Sequence, residues 1–429
     1  WLERLVALMG LPVVQAAQVR GDLLILLERE AGAQQARLVV RALSDPSAEP
    51  VVLADPAAGA DDAAIAIDWF HASVDGSLVA YGVSEGGTEN SVLRVVRTSD
   101  GELLGEEIPN CRAATVAWEP DAGGFFYTRY PEDDQYHRTI HHHTLGADWT
   151  DDPVVWAEHV RPEVWPDVRL SPDGRFVLVE AMVGWSRTDL HLLDRSTGEW
   201  RDLIVGVDAV NEFTFADDRL LVGMTTLDAQ RGRIVRIDLD AVPDDPSGWT
   251  TIVPERHVVA GRPAIAGDRM YLTVTDTGVD AVERWTLDGG ERHEIDGIGL
   301  SSVVQLATDR TTGTALAVVT GFGAPAAVWR LTDTAQIVHP VTDAGVLADG
   351  VELAVSHVEY PSPDGTAIGL FLIHRTDVEP SPDTPTILNG YGGFAISETP
   401  MFSPTIAAWC EAGGLYAIAG LRGGLEHGE

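Results

Sequence analysis

Aspartate returns at matching turn positions along most of this chain, at Asp22, Asp75, Asp121, Asp173, Asp218, Asp268 and Asp309, with 41 to 53 residues between neighbours. Each is followed by a short apolar run. Such a superperiod rules out one helical bundle or one continuous sheet, because each period must be a supersecondary unit that buries its faces against the next. One unit shows the plan. Ser171-Pro172-Asp173-Gly174 has turn chemistry, 175–181 and 189–194 read as strands, and Ser196-Thr197-Gly198 turns again. Comparable strands are expected over 77–82, 219–224 and 269–275. A period of roughly 40 to 50 residues holding about four strands is the size of a β-propeller blade, so the seven turns predict seven blades over 15–347. A β-sandwich would show turns every 8 to 12 residues or so without the longer period. The G-H and W-D pairs of the WD40 class are absent.

Charge narrows the partners. The chain has 29 basic against 66 acidic residues, a net charge of −37, and every basic side chain apart from histidine is arginine. That field repels nucleic acid and anionic membranes. The two cysteines, Cys111 and Cys410, give neither a disulfide framework nor metal-ligand spacing, so no cofactor or metal is expected and a reducing, cytoplasmic setting fits. Residues 1–14 form a short helical segment, with Leu2, Leu5, Val6 and Met9 on one face before Gly10 and Pro12 stop it. No run approaches the roughly 18 apolar residues of a membrane span.

After about residue 348 the pattern changes. Residues 385–388 read as a strand, Gly390-Tyr391-Gly392-Gly393-Phe394 as a glycine-rich loop, Ser403-Pro404 as a helix start ended by Gly413-Gly414, and 415–419 as a buried strand. Strand, helix and strand without a hairpin predict a parallel, doubly wound α/β sheet. On glycine content alone the loop is a turn.

Its surroundings say more. GYGGF, then TP.FS, a tryptophan, GG.YA and LRGG follow in order, and this series resembles the start of the peptidase domain in the prolyl oligopeptidase family of serine peptidases. The segment Tyr360-Pro361-Ser362-Pro363-Asp364-Gly365-Thr366 with 368–373 is similar to that domain's first hairpin. The resemblance implies a seven-bladed propeller joined to part of an α/β-hydrolase domain over 348–429. It also implies hydrolysis of short peptides after proline through an acyl-enzyme. By the same resemblance, the Tyr391 hydroxyl serves the oxyanion hole and Phe394 lines the apolar pocket for proline. By themselves Phe126, in FFYTRYP, reads as a core aromatic of a blade and Arg233, in GRIVRIDL, as a surface arginine; the resemblance implies instead that the first reaches the substrate cleft and the second contacts the bound peptide. The family usually has tyrosine at Asn389 and a third glycine at Leu425. Its Ser, Asp and His triad falls after the shared region, so the nucleophile is expected beyond Glu429 and the 429 residues alone are expected to be inactive. The arginine-specific branch fits less well, since its loop usually lacks the GGF of Gly392-Gly393-Phe394. A non-catalytic propeller that serves as a binding scaffold is the rival reading; it leaves Tyr391 unexplained.

Other motifs carry no chemistry. Gly82-Val83-Ser84-Glu85-Gly86 matches G-x-S-x-G, but a nucleophile elbow needs a helix after its strand, and here another propeller strand follows. His141-His142-His143 would alternate across a strand, with only His141 and His143 on one side, and a solvated strand is expected. Arg422 is expected to make a loop salt bridge. Glu426 and His427 lack the third orienting group of a catalytic dyad.

Overall fold

Alternate residues of strand Leu23–Arg29 face two different sheets. Leu24 and Leu26 pack on Leu316, Val318 and Val328, while Ile25 and Leu27 pack on Ile67, Phe70 and Val79. This follows from the two-residue period of a strand: when both faces are covered, the run must be apolar throughout, as LLILL is. The same device recurs in every sheet up to residue 339. In the computed structural model, which describes residues 1–45, 47–58, 64–157, 161–243, 245–339, 347–348, 350–426 and 428, the chain forms eight sheets. The first seven in chain order are antiparallel meanders, and each shares an apolar cluster with the next.

The ring closes by packing the last of these sheets on the first. Polar contacts cross the same seam: Gly21 N–H donates to Asp309 Oδ2 at 2.6 Å and Ala17 N–H to Gln305 Oε1 at 3.0 Å. His339 Nε2 lies 3.2 Å from Glu28 Oε2. Four of the expected turn aspartates, Asp75, Asp121, Asp173 and Asp309, cap their own turns, while Asp22 accepts the Ser44 N–H instead. Asp75 Oδ1 accepts the Ser77 N–H at 3.0 Å, and Asp173 Oδ1 accepts that of Arg175 at 3.0 Å. In the fifth sheet the capping carboxylate is Asp217, which takes the Arg219 N–H at 2.7 Å, and not the neighbouring Asp218 expected from the spacing. The second sheet has three strands, and only isolated bridges, Leu93 to Ile108 and Val96 to Leu103, stand in place of a fourth.

The eighth sheet differs in kind. Hairpin strands Leu353–Pro361 and Ala367–Arg375 lead to Leu415–Gly420, which pairs on its other side with Thr386–Tyr391. Only that last pair is parallel, so the sheet is mixed rather than the wholly parallel one expected. The crossover is helix α2, Pro404–Glu411, and the N-terminal helix α1, Leu2–Met9, docks against it. Leu8 packs on Ala407 and Ala408, and Arg4 Nε donates to Glu411 Oε2 at 2.7 Å. Ser403 holds the N-cap position, but its hydroxyl pairs with Thr405 Oγ1 at 2.8 Å and does not cap the helix. Among the described residues no helix is long and apolar enough to cross a membrane.

Candidate functional site

Tyr391 ends a strand. The expected loop begins one residue after it, because Thr386–Tyr391 stays paired with Leu415–Gly420 up to the Tyr391–Gly420 register. Both chains then turn, and their backbones interlock. A Cβ on Gly392 would collide with the Arg422 carbonyl oxygen, and one on Gly423, at φ +98°, with that of Gly392. A Cβ on Gly424 would lie 2.8 Å from the Ile396 carbonyl oxygen. Close backbone approach is therefore what GYGG and LRGG supply together. Ala395 N–H seals the contact by donating to the Gly423 carbonyl at 3.0 Å.

Phe394 and Ala395 take left-handed backbone angles, φ +56° and +58°, which cost non-glycine residues on the order of 1 to 3 kcal/mol each. The turn aims the Phe394 ring outward, where it is 63% exposed. Tyr391 is 41% exposed, and its hydroxyl oxygen lies 3.3 Å from where a Gly393 Cβ would stand. An open phenol beside an open apolar ring is an arrangement that can donate one hydrogen bond next to an apolar pocket.

Two side chains hold this arrangement from behind. Arg422 forms an ion pair with Asp364 and donates to Thr366 Oγ1 at 2.8 Å, which ties LRGG to the hairpin turn as expected of a loop salt bridge. The hydrogen bond from Arg422 draws the Asp364 carboxyl down to about 2. Glu426 is buried, and its Oε1 accepts the Glu398 N–H at 2.9 Å. Burial, and then the charge of Glu426, raise the Glu398 carboxyl above its ordinary value. His427, which completes the rejected dyad, lies outside the described residues.

The loop faces the ring of sheets. Phe394 meets Trp185 edge-to-face, with centroids 5.8 Å apart at 63°. The Glu398 carbonyl lies 2.7 Å from where a Gly278 Cβ would be. A half-open cavity of about 270 Å³ lies between Met224, Arg231 and Gly232 on one side and Ser397, Leu425 and Gly428 on the other. Trp185, Arg231 and Gly278 all lie on connections between the second and third strands of their sheets, so one face of the ring makes every one of these contacts.

Residues 2–341 match a family model described as "Prolyl oligopeptidase, N-terminal beta-propeller domain". The chain belongs to the prolyl oligopeptidase family. A prolyl oligopeptidase of Omphalotus olearius is 27% identical over 402 residues, which is 86% of this chain and 53% of that protein. A prolyl endopeptidase of Elizabethkingia meningoseptica is 24% identical over 82% of this chain and 51% of its own length. A solved structure from a mechanistic study of two prolyl endopeptidases superposes with a TM-score of 0.89 at 27% identity, covering 99% of this chain and 64% of the other. Prolyl oligopeptidase B of Galerina marginata, solved with a 35-residue hydrolysis and macrocyclisation substrate, has a TM-score of 0.88 at 21% identity, 100% of this chain and 64% of its own, a likeness of fold. The chain spans about half the length of the curated relatives it matches.

In this prolyl oligopeptidase propeller the remaining expected residues separate. Arg233 begins strand Arg233–Asp238, next to Gly232 of the cavity, and donates to Thr251 Oγ1 at 2.9 Å. Phe126 lies apart from the loop of Tyr391 and Phe394. It is 2% exposed in the cluster between the third and fourth sheets, edge-on to His142 at 4.7 Å and under the Arg195 guanidinium at 5.0 Å. Its position midway along Gly124–Arg129 places it inside this packing, as the core reading expects.

Ser84 lies within strand Leu78–Glu85, buried, and donates to Asp68 Oδ1 at 3.1 Å, so it sits on no elbow. The three histidines alternate across strand Thr139–Thr144, and the strand is only partly solvated, since Ile140 and His143 are buried. His143 is 1% exposed and its Nδ1 lies 3.0 Å from buried Asp152, while His141 stacks near Tyr127 at 5.5 Å. Among the described residues no group of three or more His, Cys, Asp or Glu side chains is placed to hold a metal ion. Burial pushes the Cys111 thiol up to about 12 and that of Cys410 up to about 11, which leaves both in the unreactive protonated form. Trp185 was not singled out by sequence reasoning. A large aromatic in the turn-like VGWSR, between two strands that need no surface tryptophan, is the signal that would have found it.

Proposed function

We propose that this chain is the N-terminal part of a serine peptidase that hydrolyses short peptides after proline, through an acyl-enzyme on a serine supplied by sequence beyond Glu429. Each of the seven antiparallel sheets is one blade of its propeller, over 15–347. The segment 348–429 is the first part of an α/β-hydrolase domain, on which the 1–14 helical segment docks. Residues 340–346 and 349, beside the junction, lie outside the described residues. Tyr391 donates to the oxyanion, Phe394 lines the pocket for the proline ring, and Arg233 meets the peptide from the propeller side. The setting is cytoplasmic.

The observation that carries this reading is the placement of an open tyrosine hydroxyl above Gly393, beside an outward-facing Phe394, on a loop locked by backbone contact and facing the propeller. An oxyanion donor must be fixed before the charge develops, since a donor that has to reorganise gives up much of its advantage. The interlocked glycines supply that rigidity.

A fluorophosphonate probe, which labels activated serines, tests the assignment. The 429 residues alone are expected to remain unlabelled, and the full-length protein to be labelled once at a serine after residue 429. Labelling of Ser84 or any serine within this chain would contradict it, and a full-length protein that never labels would favour the binding scaffold.

A further inference from the structure

A cavity of about 1410 Å³ lies between the second and third sheets. Its walls include the connections 86–91 and 130–138, which join second to third strands. These connections leave the ring on the same face as those carrying Trp185, Arg231 and Gly278, so the cavity opens on the side where Tyr391 and Phe394 stand.

Three guanidinium groups line it, and two are paired with carboxylates, although the Nε of Arg94 is buried without an acceptor. Arg94 is paired with Glu107 at 3.0 Å and Arg112 with Glu89 at 2.8 Å. Arg129 has no carboxylate among the described residues. Its guanidinium carbon lies over the Trp149 ring, 4.3 Å from the centroid, and its Nε is buried without an acceptor. In a chain with 66 acidic residues against 29 basic ones, an arginine left without an anion is not short of candidates. A charged donor withdrawn from water and left unpaired is costly, and a stacked guanidinium keeps its planar fork free for a two-oxygen acceptor.

The walls also carry Glu132, Asp133 and Asp134. A dianionic phosphate would meet roughly twice the repulsion from these that a single carboxylate meets. We propose that this cavity binds a carboxylate of a peptide, held by Arg129 against Trp149; that the ligand is a peptide rests on the peptidase reading above, while the anion rests on the cavity itself. The carboxylate comes from the peptide C-terminus or from an aspartate or glutamate side chain.

Titration calorimetry at low salt on the chain separates these sources. The probes are a proline-containing alanine pentapeptide with a free C-terminus, its C-terminal amide, the amide with one glutamate, and inorganic phosphate. The free acid or the glutamate amide should bind about tenfold more tightly than the plain amide, and the one that does so identifies the source. Arg129→Gln should abolish the difference with an unchanged melting temperature. Arg129→Lys, which keeps the charge without the fork, should retain a smaller one. Equal binding of acid and plain amide, equal binding by Arg129→Lys and the unsubstituted chain, or phosphate binding more tightly than either carboxylate would overturn the proposal. Proline-peptide cleavage by the full-length protein is scored separately. Cleavage without carboxylate preference sinks this site alone, and carboxylate preference without cleavage sinks the peptidase reading alone.

Discussion

Trp185, on the propeller, and Phe394, beside the proposed oxyanion donor, meet edge-to-face at 5.8 Å although each is 63% exposed. The pair bridges two parts of the molecule that also meet through a second edge-to-face pair, Phe322 with Phe371 at 5.4 Å, inside an apolar cluster with Ile406 and Ile418. Edge-to-face pairs contribute about 0.5 to 1.5 kcal/mol beyond the area they bury. A double-mutant cycle on Trp185→Ala and Phe394→Ala, read by urea unfolding, should give a coupling of about 1 kcal/mol. Strict additivity would mean that the two rings are neighbours without being partners.

The glycine lock makes a sharper claim. Gly423→Ala places a methyl group into the Gly392 carbonyl at a φ of +98°, so it should destabilise the 386–424 region by about 1 to 3 kcal/mol. Gly413→Ala is the control for the backbone effect, since Gly413 also has a positive φ, +92°, with nothing within 4 Å of its added Cβ. Hydrogen exchange over 391–396 should quicken in the first variant and stay unchanged in the second. Equal exchange over 391–396 in both variants would show that strain, and not close approach, sets the requirement.

These contacts also show what the sequence could and could not carry. The propeller was legible because most units repeat one local rule, an aspartate whose carboxylate caps its own turn, as Asp75, Asp121, Asp173 and Asp309 do. Where two carboxylates adjoin, as at Asp217 and Asp218, spacing alone cannot decide which of them caps. Resemblance singled out Tyr391 and Phe394, both open on one loop, and also Phe126, which is buried midway along its strand; the motif fixes the strand and not which of its two covered faces a residue takes. Trp185 was missed because its partner lies 209 positions away in the chain, and no local pattern records a contact of that separation.

Ring closure should be sensitive to acid. Burial alone would raise the Glu28 carboxyl, but hydrogen bonds from His339 and Arg41 outweigh it and hold the group at about 2, against an ordinary value of 4.5. The unfolded chain therefore binds the proton more readily, and the contribution of Glu28 is whole above about pH 4.5 and is lost as the pH falls toward 2. Its size, reduced by solvent screening of a carboxylate that is not fully enclosed, is on the order of 1 to 2 kcal/mol. Glu28→Gln should lower the melting temperature at pH 6 and flatten its dependence on pH between 5 and 3. An unchanged slope would show that the seam between the first and last sheets does not depend on this carboxylate.

The central claim is that Tyr391 stabilises the oxyanion of a proline-cleaving peptidase. Pre-steady-state acylation of the full-length protein by a proline reporter peptide, with Tyr391→Phe against the unsubstituted enzyme, tests it most directly. Loss of one such donor should slow acylation by about 10² to 10³ while the melting temperature stays within a degree or so. An acylation rate unchanged by the substitution would return Tyr391 to the standing of a residue that merely ends a strand.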